Sequence, residues 1–75
     1  MAKKHWSGYN ASGKLTEMWQ ERDGTWTVGV QGTSLWFGFA PEDKHIALSM
    51  FRKLLRHGDM KYDDIKNFPE YNYIL

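Results

Sequence analysis

TWTVGVQGTSLWFGFAPEDKHIALSMFRKLLRHG, residues 25–58, carries two secondary-structure periods back to back. From 25 to 31 the residues alternate: Trp26, Val28 and Val30 on one face, Thr25, Thr27, Gly29 and Gln31 on the other. Gly32-Thr33 reads as a tight turn. From 34 to 40 the alternation resumes, with Leu35, Phe37 and Phe39 opposite Ser34, Trp36 and Gly38. At Pro41 the period changes. Proline suits a first helical turn, and Glu42 and Asp43 suit the positive end of a helix dipole. Ile46, Ala47, Met50, Phe51, Leu54 and Leu55 then fall on one stripe at helical spacing. Arg56 and His57 fill the last turn, and Gly58 reads as a left-handed stop.

Upstream, residues 14–22 (KLTEMWQER) alternate and contain strand formers, and Asp23-Gly24 is a hairpin turn signal. The expected fold is therefore α+β: a three-stranded antiparallel meander with one helix packed on its apolar face. Residues 1–13 show neither period and read as an irregular N-terminal arm, with Trp6 and Tyr9 lying back on the body. Residues 14–75 read as a single small domain. Tyr62, Ile65 and Phe68 fit a short second helix ending before Pro69, because proline disfavours α at the residue before it. The tail YNYIL reads either as a fourth edge strand or as an extended segment bound to the core.

Seventy-five residues without a cysteine exclude disulfides and thiolate metal sites, so packing must hold the chain together. Twelve aromatic residues, four each of Trp, Tyr and Phe, help to supply that packing. Ten Lys and Arg against nine Asp and Glu exclude a polybasic or polyacidic protein. Charge is nevertheless segregated: residues 15–43 hold one Arg and five acids, net −4, and residues 44–57 hold four basic residues, net +4. No run of about 18 apolar residues is present to span a membrane. No apolar stretch follows Lys3-Lys4, so a signal peptide is not expected and the expected location is cytoplasmic.

Catalytic chemistry finds little support. His45 and His57 lie about 120° apart around their helix at 100° per residue, and Asp63-Asp64 are adjacent and diverge, so no metal site is expected. There is no Gly-x-Ser-x-Gly and no cysteine nucleophile. Glu17 and Glu21, four apart on a strand, would stand about 13 Å apart, too far for a glycosidase pair. Gly24, Gly29 and Gly32 match no phosphate-binding loop. Asn10-Ala11-Ser12 fits a glycosylation sequon, a coincidence in a chain with no signal peptide. A non-enzyme with no cofactor is expected.

Two surfaces remain. The strand assignments put Trp36, Thr27 and Gln31 on the face away from the helix, and Glu17, Trp19 and Glu21 join them if Met18 points inward. Gly29 and Gly38 would leave a shallow floor between Trp19 and Trp36. Paired tryptophans beside carboxylates have the composition of a protein-recognition hot spot for a basic partner. The competing reading is that the arm or tail covers both rings. The second surface is basic: Arg52, Lys53 and Arg56 on the helix, with Lys3 and Lys4 of the arm, are candidates for phosphate contact, or else form an ordinary solvated face.

The order of three strands and a helix, with Gly24-Thr25-Trp26, Val28, Val30, Trp36-Phe37-Gly38-Phe39, Pro41 and Ala47, resembles the plant ethylene-response-factor DNA-binding domain and the arm-binding domains of tyrosine recombinases. The likeness covers about residues 15–57. It implies a sheet that reads DNA with outer-face arginines. The matching positions here are Trp19, Glu21 and Gln31, so acid and aromatic stand where the cations belong.

The function expected first is therefore a small non-enzymatic binding module or inhibitor that docks on a partner protein with a basic surface. A short chain from Met1 to Leu75 looks like the accessory proteins of phages and mobile elements, including the anti-CRISPR class, that act on host nucleic-acid-binding enzymes; this step is analogy. The alternative is a DNA-binding domain using the sheet face or the basic helix and arm. A monomer or an edge-paired dimer is expected, with no membrane partner.

Overall fold

The structure, a computed structural model, describes residues 4–75. Strands β1 (His5–Tyr9), β2 (Leu15–Gln20), β3 (Trp26–Val30) and β4 (Trp36–Phe39) pair in that order in one antiparallel sheet. A 3-10 turn at Pro41–Asp43 leads into helix α1, Lys44–Arg56. A single-turn helix α2, Tyr62–Ile65, and a second 3-10 turn, Pro69–Tyr73, follow. The α+β class and the helix on one sheet face are as expected. The strand count is not: the described residues form four strands, and part of the arm supplies the fourth.

The reason β1 escapes a hydrophobic-pattern search lies in Gly8. Trp6 pairs with Met18 and Gly8 with Thr16, so both occupy inward positions. At Gly8 the apolar group comes from the helix instead, because a Cβ there would meet Leu55 Cδ2 at 3.0 Å. His5, Ser7 and Tyr9 face outward. Period 2 is present, but one of its two apolar positions carries no side chain.

The inner sheet face contributes Met18, Trp26, Val28, Phe37 and Phe39 to a core that Ala47, Met50, Phe51 and Leu54 of α1 close. Ile46 and Leu55, on the margins of the stripe, pack partly buried against it. Ile65 of α2 is fully buried. The helix start is fixed by an indole: Trp26 Nε1 donates to the Pro41 carbonyl at 3.2 Å. Lys44 Nζ lies over the Trp6 and Trp26 rings, 5.5 and 5.6 Å from their centroids.

Two glycine expectations change. The β2–β3 loop is not a two-residue turn with both residues left-handed, since only Gly24 has positive φ (94°) and Glu21 N donates to Thr25 O at 2.7 Å. Three loop residues with a left-handed glycine last make a turn plus bulge. The Asp23 carboxylate accepts from both Thr25 N and Thr25 Oγ1. Gly58 does not stop α1 through a left-handed conformation; the chain leaves extended at His57, φ −93° and ψ 157°. Gly58 is needed for close approach, because a Cβ there would lie 2.6 Å from Ser12 Oγ.

The tail YNYIL is mostly 3-10 turn and touches the sheet through one bridge, Phe39 with Ile74, and one bond from Leu75 N to Gly38 O at 2.9 Å. It caps the β4 edge without forming a strand.

Thr16 is fully buried, and its Oγ1 has no hydrogen-bond partner among the described residues. Valine has nearly the same shape without the desolvation cost. Thr16→Val is expected to raise unfolding stability by about 1 kcal/mol in urea melts; a loss of similar size would contradict the hydroxyl's being unpaired.

Candidate functional site

Antiparallel register places the outer-face side chains in rows. One row runs His5, Trp19, Thr27 and Gly38; the next runs Ser7, Glu17, Gly29 and Trp36. Five of the six residues singled out for partner contact lie in these rows or the adjoining β2–β3 loop, and Gln31, just beyond β3, reaches Glu17. Sequence reasoning missed His5, Ser7 and Tyr9, which join the face through β1.

The face is a connected polar-aromatic layer. Glu17 accepts from His5 Nε2 at 2.9 Å on one oxygen and from Gln31 Nε2 at 2.6 Å on the other. Glu21 Oε2 accepts from Trp19 Nε1 at 2.6 Å and from Thr27 Oγ1 at 2.7 Å. His5 also stands edge-on to Trp19, centroids 6.1 Å apart. Both carboxylates thus hold the aromatic surface in place as well as charging it.

Trp19 and Trp36 come together, with centroids 5.5 Å apart and planes tilted by 51°. The expected open floor between them is absent. A Cβ on Gly29 would sit 2.1 Å from Trp36 Cε3, so the Trp36 ring occupies the space that Gly29 vacates. Glycine here seats an indole flat on the sheet. Both rings are half-buried, flanked by His5 on one side, while the exposed Leu75 lies next to Gly38 on the other. Arm and tail border the pair without hiding it.

The basic helix face divides. Lys53 Nζ bonds Glu70 Oε1 at 2.7 Å and lies 4.8 Å from the Phe68 ring centroid, so it is committed internally. Ser49 Oγ donates to the other oxygen of Glu70. Arg52 and Arg56 are exposed and make no ion pair among the described residues. Lys4 is exposed next to β1; Lys3 lies outside the described residues. Lys53 therefore leaves the proposed phosphate-contacting set, for the physical reason that its charge balances a buried carboxylate. Among the described residues, no group of three His, Asp or Glu could hold a metal ion, and no helix is long and apolar enough to cross a membrane.

No protein-family model, curated protein or solved structure matches this chain.

The Gly29 seat is testable. Gly29→Ala must push the Trp36 ring off β3, so it is expected to weaken the Trp–Trp exciton signal in circular dichroism and cost roughly 1–3 kcal/mol, as overpacking does. An unchanged exciton signal would contradict the seat.

The Glu70 pair makes an acid-sensitive clamp between α1 and the tail. Burial pushes its carboxyl up, but bonds from Lys53 and Ser49 outweigh this and hold it below the ordinary glutamate value. A depressed folded pKa gives stability that is present above the unfolded value and is lost as pH falls through the folded one. Stability should therefore decline on acidification below about pH 4.3, the ordinary glutamate value. Glu70→Gln should flatten that limb in pH-dependent melts; an equally steep limb would rule the clamp out.

Proposed function

We propose that this domain is a non-enzymatic protein-binding module that docks on a partner's basic surface through the outer face of its sheet. The observation that carries the reading is the paired indoles of Trp19 and Trp36, half-exposed, the first bonded to Glu21 and the second seated over Gly29, with the Glu21–Thr27 and Glu17–Gln31 bonds beside them. Rigid aromatic area costs little side-chain entropy on binding, and tryptophan is enriched where binding energy concentrates. Glu17 and Glu21 set the sign of the partner. Each already has hydrogen-bond donors, so their main contribution is orientation and encounter rate. Cationic grooves that receive nucleic acid are one kind of partner surface with this chemistry, which supports an inhibitor that acts by occluding such a groove.

Affinity capture of partners followed by binding kinetics tests the reading. Trp36→Ala is expected to weaken binding by about 2 kcal/mol, measured on protein confirmed to be folded. Glu17→Lys should slow association, and added salt should shrink the difference from wild type. A captured partner whose association rate ignores Glu17→Lys would count against docking through this face.

A further inference from the structure

The two edges of the sheet are treated differently. The β4 edge is capped by Ile74 and Leu75. On β1, Gln20 N donates to Lys4 O and Asn10 N to Lys14 O, so Lys4, Trp6, Gly8 and Asn10 turn their backbone groups toward β2. Alternation in an antiparallel ladder then points the N–H and C=O of His5, Ser7 and Tyr9 away from the sheet. Among the described residues these groups make no backbone hydrogen bond. The edge carries no proline, lysine, arginine or carboxylate within His5–Tyr9 to blunt it.

Helix α1 packs chiefly over β3 and β2, runs in the same direction as β1 and reaches it through side chains. Lys44 Nζ lies over the Trp6 ring, Leu55 fills the place over Gly8, and the His57 carbonyl accepts from Ala11 N at 3.2 Å. Arg52, Leu55 and Arg56 line an open groove on the helix. The two arginines are four residues apart, about 6 Å along a helix axis, and side chains two apart on a strand are separated by about 6.6 Å. An added strand would thus carry alternate side chains toward the groove at about the axial spacing of the two arginine positions.

We infer that the β1 edge and the Arg52–Leu55–Arg56 groove together accept an extended acidic segment of another protein by strand addition, with an acid-x-acid pattern facing the arginines. This surface is separate from the outer sheet face, and its failure would leave that reading untouched. Charge decides the occupant. Two copies paired through β1 would set arginine pairs against each other, whereas an acidic strand neutralises Arg52 and Arg56 in bidentate geometry.

The test uses the full chain and two capped ten-residue peptides, alternating valine with glutamate or with lysine. The glutamate peptide should bind and slow hydrogen exchange at the amides of His5, Ser7 and Tyr9 by about tenfold or more, and the lysine peptide should not. Ser7→Pro removes the central free donor but no ladder bond, so it should weaken the glutamate peptide by about tenfold or more while the sheet persists. Arg52→Glu with Arg56→Glu should reverse the peptide preference, which keeps the test valid if Ser7→Pro fails to fold. Equal binding of both peptides, or a folded Ser7→Pro protein that binds normally, overturns the inference. So does oligothymidine binding that needs the arginines but survives Ser7→Pro, which would assign the groove to nucleic acid. A concentration-dependent dimer lost on Ser7→Pro would assign the edge to a second copy and overturn it as well.

Discussion

One helix has to cover the inner face of a four-stranded sheet, and the rest of the structure follows from that constraint. The apolar stripe of α1 meets Met18, Trp26, Val28, Phe37 and Phe39, and among the described residues no second helix of comparable length shares the work. Small domains have little core to spare, so the ends of α1 are fastened individually. Trp26 and Lys44 fix its start. Its end is held by the Ala11–His57 bond and the Gly58–Ser12 contact. The α1–tail contact through Glu70 completes the cover.

This fastening also decides which charges are left for function. Lys53 is committed to Glu70, and Lys14 ties the β1–β2 turn to Asp59 in the segment after α1. Glu21 bonds the Trp19 indole, and Glu17 bonds His5 and Gln31. Arg52 and Arg56 have no ion pair among the described residues and line a groove with Leu55, which reaches the open edge strand at Gly8. The segregation of charge in the sequence thus resolves into an acidic aromatic sheet face and a smaller basic strip along one edge.

The meander from Lys14 to Ala40 and the stripe of α1 were legible because their core positions, Thr16 and Ala47 apart, carry large apolar side chains at one period within each element. The existence of a short second helix was legible from the spacing of Tyr62, Ile65 and Phe68, but not its end: the helix stops at Ile65 and Phe68 is extended ahead of Pro69. β1 was not, because Leu55 reaches in from another element to fill the place above Gly8, and no local pattern reports a side chain from 47 positions away. Gly29 was misread in the same way: its vacancy is taken up by Trp36 on the neighbouring strand. Gly58 looked like a helix stop and is instead a point of close packing. The commitment of Lys53 was hidden for a related reason, since Glu70 lies 17 residues away and is buried only by the tertiary fold. The outer-face residues were found from alternation alone, because Trp19, Thr27 and Trp36 keep strict period 2; their mutual contact was not.

The central claim, that the paired tryptophans form the docking face, is tested most directly by the indole N–H resonances of the labelled protein in complex with a captured partner. The account predicts that the Trp19 and Trp36 signals shift on binding while that of Trp26, bonded to the Pro41 carbonyl beneath the sheet, stays in place. Unmoved Trp19 and Trp36 signals, with shifts confined to β1 and α1, would contradict it.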